Sequence, residues 1–350
     1  MDPERVQSFG RRMLDVLTDS ALSMLITLGY RTGLFEAAAR GPATSDELAE
    51  RSGLQERYVR EWLGAMVTAG FFALDPTNGR CILPTEHAVW LTGSSARNLA
   101  PMTGMVGVYG GVLAELEQCF RDGGGVPSAS YPALIDARDD LWRPIYDEHL
   151  INGFLGAVTG LAERLAAGVQ VLDIGCGAGH AVNLMASAYP RSRFVGVDIA
   201  PCALAQAAKE AAAMGLSNAA FNLFDATELA PMPPYDVITA FDVIHDLRAP
   251  DIVLRRVHDA LQPDGFFIML DLKFSSQLEY NIGNPFAPLY YGISLMHCMT
   301  ISLAQGGAGL GAVWGQELAT EMVTAAGFTS VDVRDVPRPQ NCIYVCRRAS

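Results

Sequence analysis

The sequence is short of basic residues and of cysteine. Lys and Arg number 25 against 38 Asp and Glu, so the 350-residue chain carries a net charge of −13. This deficit argues against a nucleic acid backbone as a partner. Seven cysteines are too few for a disulfide scaffold in a chain of this length. We therefore expect a reduced, cytoplasmic protein that binds no nucleic acid.

The sequence also shows neither the pattern of a signal peptide nor that of a membrane-spanning segment. Residues 1–5 (MDPER) lack the apolar core of a signal peptide. Residues 280–316 contain no Asp, Glu, Lys or Arg, but polar side chains interrupt their most apolar part, residues 289–304, which is too short to span a bilayer. We predict a buried cap there and no membrane partner. No cluster of His and Cys completes a metal site, so we expect no metal.

The most informative stretch follows a strand–turn–helix–strand order over residues 171–198. An apolar strand leads into the turn Gly175-Cys176-Gly177-Ala178-Gly179, and a second apolar strand ends in Asp198. This order builds a nucleotide-type pocket at the carboxyl ends of parallel strands. A dinucleotide fingerprint needs a third small residue three places after its second glycine, and His180 occupies that position. The sequence has Asp-x-Gly-x-Gly-x-Gly instead.

This pattern resembles motif I of the class I S-adenosylmethionine (SAM) methyltransferases. SAM has no phosphates, so it does not need the third glycine that brings backbone close to a pyrophosphate. In the resemblance, the glycines let the main chain run close to the cofactor, and the acid after the second strand accepts from the ribose hydroxyls. The motif assigns the cofactor site to Asp173, Gly175, Gly177, Gly179, Asp198 and Ile199.

Two later strand ends extend the implied cofactor site. Asp225 follows the third strand and matches the family position that accepts from the adenine amine, and the Ala226 N–H is available to the ring. Phe241 and Asp242 end the fourth strand and resemble motif IV, which borders the methyl group. Phe241 fits two roles equally, contact with the cofactor and core packing.

His245 is the candidate catalytic residue. Residues 243–247 (VIHDL) resemble the Ile-Leu-His-Asp-Trp stretch of the plant-type O-methyltransferases, whose histidine removes the acceptor proton. Imidazole suits this task because its pKa lies near neutral pH. Leu247 replaces the tryptophan, so a structural or cofactor-lining histidine stays an open alternative. Asp271 and Glu317 are positional matches for the acids that orient the base in that family.

The helical connector and the uncharged insertion supply the candidate residues for a methyl acceptor. Aromatic and thioether side chains make an adaptable apolar lining, although they would equally form ordinary core or a dimer interface. We expect a small, largely apolar acceptor with one nucleophile. The candidates in the connector and in the insertion are Tyr146, His149, Tyr290, Tyr291, His297 and Met299.

The alternation of strands and helices after residue 166 predicts a doubly wound, mostly parallel, seven-stranded α/β sheet. Residues 166–350 would form this SAM-binding domain, with a cap insertion over 277–316. The strands are expected near 169–174, 193–198, 219–224, 235–241, 265–271, 329–336 and 341–347.

Residues 1–95 are predicted to form a mainly helical winged-helix domain, joined to the sheet by a helical connector over 96–165. Apolar spacing indicates a helix over 21–39. Thr44 with Glu47 predicts a capped helix, and a second helix and a small hairpin follow. Residues 41–95 hold four basic and seven acidic residues, a net −3 that argues against DNA binding. The resemblance implies dimerisation and pocket closure instead, so we expect a homodimer.

The sequence therefore predicts a SAM-dependent methyltransferase that transfers a methyl group to a small molecule by in-line displacement, with O-methylation favoured and N- or S-methylation open. The alternative is a winged-helix transcriptional regulator that senses SAM or an apolar ligand. A SAM-fold protein without catalytic activity is a further alternative.

Overall fold

The computed structural model describes residues 1–230 and 235–348. The chain divides into two units, of which the first comprises Met1–Gly110 and Asp136–Pro144 and the second comprises Gly111–Ile135 and Ile145–Ser350. The connector expected over residues 96–165 is therefore not a separate part. Its segments join one unit or the other, so the three expected parts become two.

The first unit is helical with one small hairpin. Thr44 and Glu47 form the expected capping box: the Thr44 hydroxyl accepts from the Glu47 N–H at 3.3 Å, and the Glu47 carboxylate accepts from the Thr44 N–H at 3.0 Å. Phe35, Trp62 and Phe72 pack together in the core, with ring centroids 5.2–6.3 Å apart. The predicted helix-turn-helix and wing are both present. The elements are α1 (Pro3–Arg31), α2 (Leu34–Ala38), α3 (Ser45–Ser52), α4 (Glu56–Thr68), β1 (Ala73–Asp75), β2 (Arg80–Ile82), α5 (Thr85–Ala88) and α6 (Ala100–Gly110).

The first helix differs from the sequence prediction at both ends. It begins at Pro3 because the Asp2 side chain caps the Glu4 N–H at 3.0 Å and proline suits the first turn. It ends at Arg31 because Gly33 adopts a left-handed φ of 71°. The helix expected over residues 21–39 is therefore the end of α1 followed by the short α2.

Most apolar side chains of α1 are exposed. By length and composition, α1 is the one helix among the described residues that could cross a membrane, and 11% of its most apolar window is buried. A single helix of this kind near the N-terminus is weak evidence for a span, because signal sequences pass the same test. The large exposed apolar residues of α1 are Val6, Phe9, Met13, Leu14, Val16, Leu17, Met24 and Leu28.

The second unit is an α/β domain. Its strands are β3 (Gln170–Ile174), β4 (Arg193–Asp198), β5 (Ala219–Leu223), β6 (Tyr235–Phe241), β7 (Leu261–Leu272), β8 (Ser330–Asp335) and β9 (Asn341–Arg347). Its helices are α7 (Leu113–Asp122), the end of α8 (Leu134–His149), α9 (Leu161–Ala167), α10 (His180–Ala188), α11 (Pro201–Ala213), α12 (Pro250–Ala260), α13 (Leu278–Asn281), α14 (Ala287–Ile293), α15 (Met299–Ala304) and α16 (Gly315–Ala325).

The sheet has the seven strands that the sequence predicted, and their order is β5-β4-β3-β6-β7-β9-β8. Strands β3 to β7 run parallel, and β9 runs antiparallel to both β7 and β8. The chain leaves β3 to one side and returns to β6 on the other, so the carboxyl end of β3 is a topological switch point. Because Asn341 pairs with Leu272, the turn between β8 and β9 lies at the edge where β7 ends.

The insertion between β7 and α16 is helical, and its middle is buried. A π-helical turn, Ser294–Cys298, joins α14 to α15. A π turn is wider than an α turn and often marks a functional site. The Tyr131 hydroxyl donates to the Met296 carbonyl of this turn at 2.6 Å. The turn thereby brings His297 and Cys298 into the interior of the second unit, where both are buried.

Candidate functional site

The glycine turn joins β3 to α10 at the switch point of the sheet. Gly175, Gly177 and Gly179 have φ values of 65°, 53° and 74°, a region that favours glycine. A Cβ on Gly175 would lie 2.3 Å from Val243, and one on Gly179 would lie 2.4 Å from Ala207. A Cβ on Gly177 would meet nothing within 4 Å. Two glycines thus serve internal packing, and Gly177 faces open space where a ligand could approach the backbone.

Asp198 binds this turn from the end of β4. One carboxylate oxygen accepts from the Gly177 N–H at 2.9 Å, and the other accepts from the Ala200 N–H at 2.9 Å. The next residue, Ile199, leaves 60% of its surface exposed. The acid that the motif assigned to a ribose is therefore anchored to the open glycine, with an apolar side chain beside it.

Asp173 lies beneath the turn rather than on its surface. Its side chain is buried and accepts from the Thr239 hydroxyl at 2.6 Å. Burial raises the pKa of Asp173 to about 7, against the lowering effect of the Thr239 hydrogen bond. This hydrogen bond between the side chains of Asp173 and Thr239 therefore links β3 to β6.

Asp225 holds the turn after β5. Its carboxylate accepts from the Thr227 N–H at 2.9 Å and from the Thr227 hydroxyl at 2.7 Å, and Arg248 Nη2 lies 3.2 Å away. Partial burial works to raise the pKa of Asp225, but these hydrogen bonds and the Arg248 charge hold it below its ordinary value. The side chain is ionised at neutral pH, and the following Ala226 is buried.

His245 and Asp271 form a buried pair between the ends of β6 and β7. The Nδ1 atom of His245 lies 2.9 Å from Asp271 Oδ1, and the two residues are 1% and 0% exposed. Burial works to lower the pKa of His245, but the Asp271 and Asp246 charges outweigh it and raise that pKa well above its ordinary value. The pair matches a histidine oriented by an acid, and the neighbouring carboxylates favour the protonated imidazole.

The His245 imidazole meets two further groups. Asp246 Oδ1 lies 3.4 Å from Nε2, and the Cys298 thiol of the π turn is a hydrogen-bond partner of the imidazole. Burial raises the pKa of Cys298 to about 12, so its sulfur stays protonated. Cys298 is a contact that sequence reasoning missed.

These side chains include two sets whose ligand atoms lie close enough together for a metal ion. One set is His245, Asp246 and Cys298, and the other is Asp242, His245 and Asp271. Metal ligands must lose their protons. Burial favours the protonated Cys298 thiol, and the Asp271 and Asp246 carboxylates favour the protonated His245 imidazole.

Glu317 does not orient His245. Its carboxylate accepts from the Ser275 hydroxyl at 2.8 Å and from the Ser276 N–H at 2.7 Å, and the residue is exposed. These bonds anchor the start of α16 to the chain after β7. The prediction that Glu317 orients His245 is therefore wrong, and Asp271 is the acid that contacts the imidazole.

A guanidinium that the sequence did not single out lies among several candidate residues. Arg338, in the turn between β8 and β9, interacts electrostatically with Asp242, Tyr146 and Tyr290. The Tyr146 ring lies 6.0 Å from the Phe241 ring, and Asp242 has a left-handed φ of 56°. One motif IV residue, Asp242, and two acceptor candidates thus neighbour Arg338, and Phe241 lies beside Tyr146. The predicted antiparallel pair of the last two strands was the sequence signal that could have indicated Arg338, because the pairing of β9 with β7 places the turn between β8 and β9 at the end of β7.

The other acceptor candidates have contacts of their own. His149 packs near Phe154 with ring centroids 6.2 Å apart, and His297 meets the Tyr131 ring edge-on at 5.6 Å. The Tyr291 hydroxyl accepts from Asn281 at 3.1 Å. Met299, partly buried, follows the π turn.

His180 is another residue whose contacts the sequence did not indicate. Its Nδ1 lies 2.9 Å from Glu210 on α11, and its Nε2 lies 2.8 Å from Asp147 near the end of α8. Three helices thereby meet at the residue that opens α10, directly after the glycine turn.

Two family models match the chain. Residues 165–327 match the one described as "Methyltransferase domain", and residues 20–93 match the one described as "Rv2258c-like winged HTH domain". The chain therefore carries a methyltransferase domain behind an N-terminal winged helix-turn-helix domain. Both agree with the domain types predicted from the sequence.

Curated relatives match part of the chain. A trans-aconitate 2-methyltransferase of Methylobacterium nodulans is 35% identical over 101 residues, which cover 29% of this chain and 37% of that protein. O-methyltransferase 16 of Lophophora williamsii is 23% identical over 57% of this chain and 52% of its own length. The match thus spans about half or less of these two relatives.

Solved structures share the whole fold. Human N-acetylserotonin methyltransferase, in complex with SAM, superposes with a TM-score of 0.71 over 100% of each chain at 17% identity. An O-methyltransferase family protein from Burkholderia thailandensis gives a TM-score of 0.70 at 16% identity, over 97% of this chain and 98% of that one. At these identities the likeness establishes the fold.

Proposed function

We propose that this protein is a SAM-dependent methyltransferase that methylates a hydroxyl group of a small molecule. The observation that carries the proposal is the hydrogen bond from the Gly177 N–H to the Asp198 carboxylate. Among the three motif glycines, Gly177 is the one at which an added Cβ would meet no atom within 4 Å. This arrangement lies at the switch point of a sheet where ligands bind in open α/β folds. The methyltransferase domain match at residues 165–327 supports the same reading.

The residues present fit SAM. Gly177 allows the backbone to run against the ligand, and Asp198 would accept from ribose hydroxyls with its remaining lone pairs. The exposed Ile199 offers an apolar face for adenine, and the ionised Asp225 beside Ala226 would accept from its amine. Gly175, Gly179 and Asp173 would shape the loop from inside. Human N-acetylserotonin methyltransferase, which shares the fold, is solved with SAM.

His245 would serve as the general base, with Asp271 as its positioning residue. SAM supplies a methyl group already activated on a sulfonium, so the chain mainly has to align the acceptor and take up a proton. The acceptor oxygen would bond to the methyl carbon as the carbon–sulfur bond breaks, and the hydroxyl proton would pass to His245 Nε2. The imidazole must first lose its own proton, because the Asp271 and Asp246 carboxylates keep its pKa high.

The acceptor would lie beside motif IV. Phe241 and Asp242 would border the methyl group, and Tyr146 and Tyr290 would contact the acceptor from α8 and α14. His149, Tyr291, His297 and Met299 extend the proposed acceptor region with aromatic, imidazole and thioether groups. A small, largely apolar acceptor suits this lining.

We further propose that two copies of the chain associate through α1 in the cytoplasm. The exposed apolar residues of α1, which include Leu14 and Leu17 at 64% exposure each, are the kind of surface that a partner copy covers. The acidic winged-helix region suits this role better than contact with DNA phosphates.

The test is methyl transfer from isotope-labelled SAM into a fractionated small-molecule extract, read by mass spectrometry. Asp198→Ala should lose the labelled product together with its affinity for S-adenosylhomocysteine. Asp251→Ala, which removes an exposed carboxylate on α12, is the matched control and should retain both. Binding of SAM by the wild type without any labelled product would favour the sensor alternative, and a DNA-binding assay at low salt would follow.

A further inference from the structure

We propose that His245, Asp246 and Cys298 form a binding site for a zinc ion, and that zinc bound there inhibits methyl transfer. The inhibitory part rests on the proposed function, because the metal would occupy the nitrogen that takes up the acceptor proton. The binding part stands on the geometry and the chemistry of the three side chains.

The three ligand atoms lie at a spacing that a zinc ion can close. One nitrogen of His245, one carboxylate oxygen of Asp246 and the sulfur of Cys298 all lie within 4.8 Å of one another. His245 Nε2 and Asp246 Oδ1 are 3.4 Å apart, which is long for a hydrogen bond. Zinc bonds of about 2.0–2.2 Å to nitrogen and oxygen give a tetrahedral edge of roughly 3.3–3.5 Å, so this pair is spaced for a shared ion.

Asp271 holds the imidazole in the way that is usual for a metal ligand. Its Oδ1 atom lies 2.9 Å from Nδ1 of His245. Metal-binding histidines nearly always donate their other ring N–H to a carboxylate, a carbonyl or a water, which fixes the ring and raises its basicity. The other set within reach of a metal, Asp242 with His245 and Asp271, takes Asp271 as a ligand and so competes with this hydrogen bond. We therefore assign the ion to Nε2.

The donor set selects zinc among the common divalent ions. Imidazole and thiolate suit zinc, whereas Mg²⁺ and Ca²⁺ take oxygen ligands. The Asp246 carboxylate and the Cys298 thiolate carry two negative charges, so their complex with Zn²⁺ is neutral. A neutral complex suits a buried place, and Cys298 is 4% exposed and the Asp246 side chain 10%.

Binding exchanges protons for the ion. The Cys298 thiol and the His245 imidazole release their protons to the solvent as the metal bonds form, and coordination to a metal deprotonates a thiol outright. The ion then provides the positive charge that the imidazolium otherwise provides between the carboxylates of Asp246 and Asp271. No change of oxidation state is involved.

Zinc at this place would stop the proposed proton transfer. With Nε2 of His245 bonded to the metal, no lone pair remains there for the acceptor proton. Linear spacing did not indicate the site, because the sulfur comes from the insertion. The π turn, Ser294–Cys298, brings it to the imidazole that follows β6.

The test uses Co²⁺, which replaces zinc and reports its ligands by colour. The untagged full-length protein should bind one Co²⁺ per chain with a thiolate-to-cobalt absorption band in the near ultraviolet. Cys298→Ser should lose that band and bind Zn²⁺ at least about 100-fold more weakly in calorimetry, while it still binds S-adenosylhomocysteine. Asp271→Asn should weaken Zn²⁺ binding about 10- to 100-fold. Cys202→Ser removes an exposed thiol on α11 and is the matched control, which should keep the band and the affinity.

A wild-type protein that shows no thiolate band would overturn the site, whether or not Cys298→Ser folds. A band that survives in folded Cys298→Ser, or that disappears in Cys202→Ser, would overturn it as well. Zinc should also lower methyl transfer by the wild type, and EDTA should restore it. Transfer that stays constant or rises with zinc bound would overturn the inhibition. If Co²⁺ binds through Cys298 but no methyl group is transferred, the proposed function fails and the metal site stands.

Discussion

The Nδ1 atom of His245 lies 2.9 Å from Oδ1 of Asp271 and 3.1 Å from its Oδ2, with both side chains almost fully buried. Asp271 thereby fixes the rotation of the imidazole, and Nε2, which faces Asp246 Oδ1 at 3.4 Å, is the nitrogen that would take up the acceptor proton. The same geometry that orients the ring also stabilises its protonated form.

Removal of the imidazole should impair turnover more than cofactor affinity. We expect His245→Ala to lower kcat about 10²- to 10⁴-fold, the range of general-base catalysis, and to change the Kd of S-adenosylhomocysteine less than about threefold. Asp271→Asn should lower kcat less, because it only weakens the orientation of the base. His87→Ala, in the winged-helix domain, is the control. Equal loss of turnover and affinity in His245→Ala would assign His245 to the cofactor site instead.

The rate should rise with pH above the ordinary histidine range. Burial opposes protonation of His245, but the carboxylates of Asp271 and Asp246 raise its pKa well above 6.5, and only the neutral imidazole can accept a proton. The ascending limb of a kcat/KM profile should therefore lie well above pH 6.5. Asp271→Asn should move that limb toward lower pH. A rate independent of pH across this range in both proteins would contradict base catalysis by His245.

Two motif glycines should respond differently to alanine. Gly175→Ala places a Cβ 2.3 Å from Val243 at a φ of 65°, so the free energy of unfolding should fall by about 2–4 kcal/mol. Gly177→Ala meets open space, so its stability cost should be only about 1 kcal/mol, from its φ of 53°. Its affinity for S-adenosylhomocysteine should fall at least about tenfold if the ligand covers this position. Urea denaturation and calorimetry measure the two effects, and unchanged affinity would exclude Gly177 from the site.

Negative charges introduced on α1 should dissociate the proposed dimer. Leu14 and Leu17 are each 64% exposed, so a Leu14→Glu/Leu17→Glu double variant should fold normally yet sediment as a monomer where the wild type sediments as a dimer. Phe120→Ser, at another exposed apolar residue on α7, controls for general surface effects. If the wild type sediments as a monomer, or if the double variant still sediments as a dimer, α1 is not the dimer interface.

The fold could be predicted from the sequence because its signals are local. Apolar strands that alternate with helices located all seven strands of the sheet, and Thr44 with Glu47 marked the start of α3. The longer first helix was missed because the apolar spacing was followed only from Ala21, although Asp2 and Pro3 already provide a cap and a first turn. The division of the connector between two units depends on tertiary contacts, which a local pattern does not contain.

The site was predictable only where residues follow parallel strands. Asp198, Asp225 and Asp271 each lie at or near the carboxyl end of a parallel strand, so the topology brings them to one edge of the sheet. Cys298 and Arg338 are reached through a π turn and an antiparallel turn, whose positions depend on packing. Glu317 was misplaced for the same reason, since its contacts with Ser275 and Ser276 follow from how α16 joins the chain after β7.

The central claim is tested most directly by methyl transfer from isotope-labelled SAM, with mass spectrometry of the small-molecule fraction. The account predicts a labelled O-methyl product from the wild type and from Asp251→Ala. It also predicts loss of that product, with loss of S-adenosylhomocysteine binding, in Asp198→Ala. A wild-type protein that binds SAM and labels no molecule in the extract would contradict it.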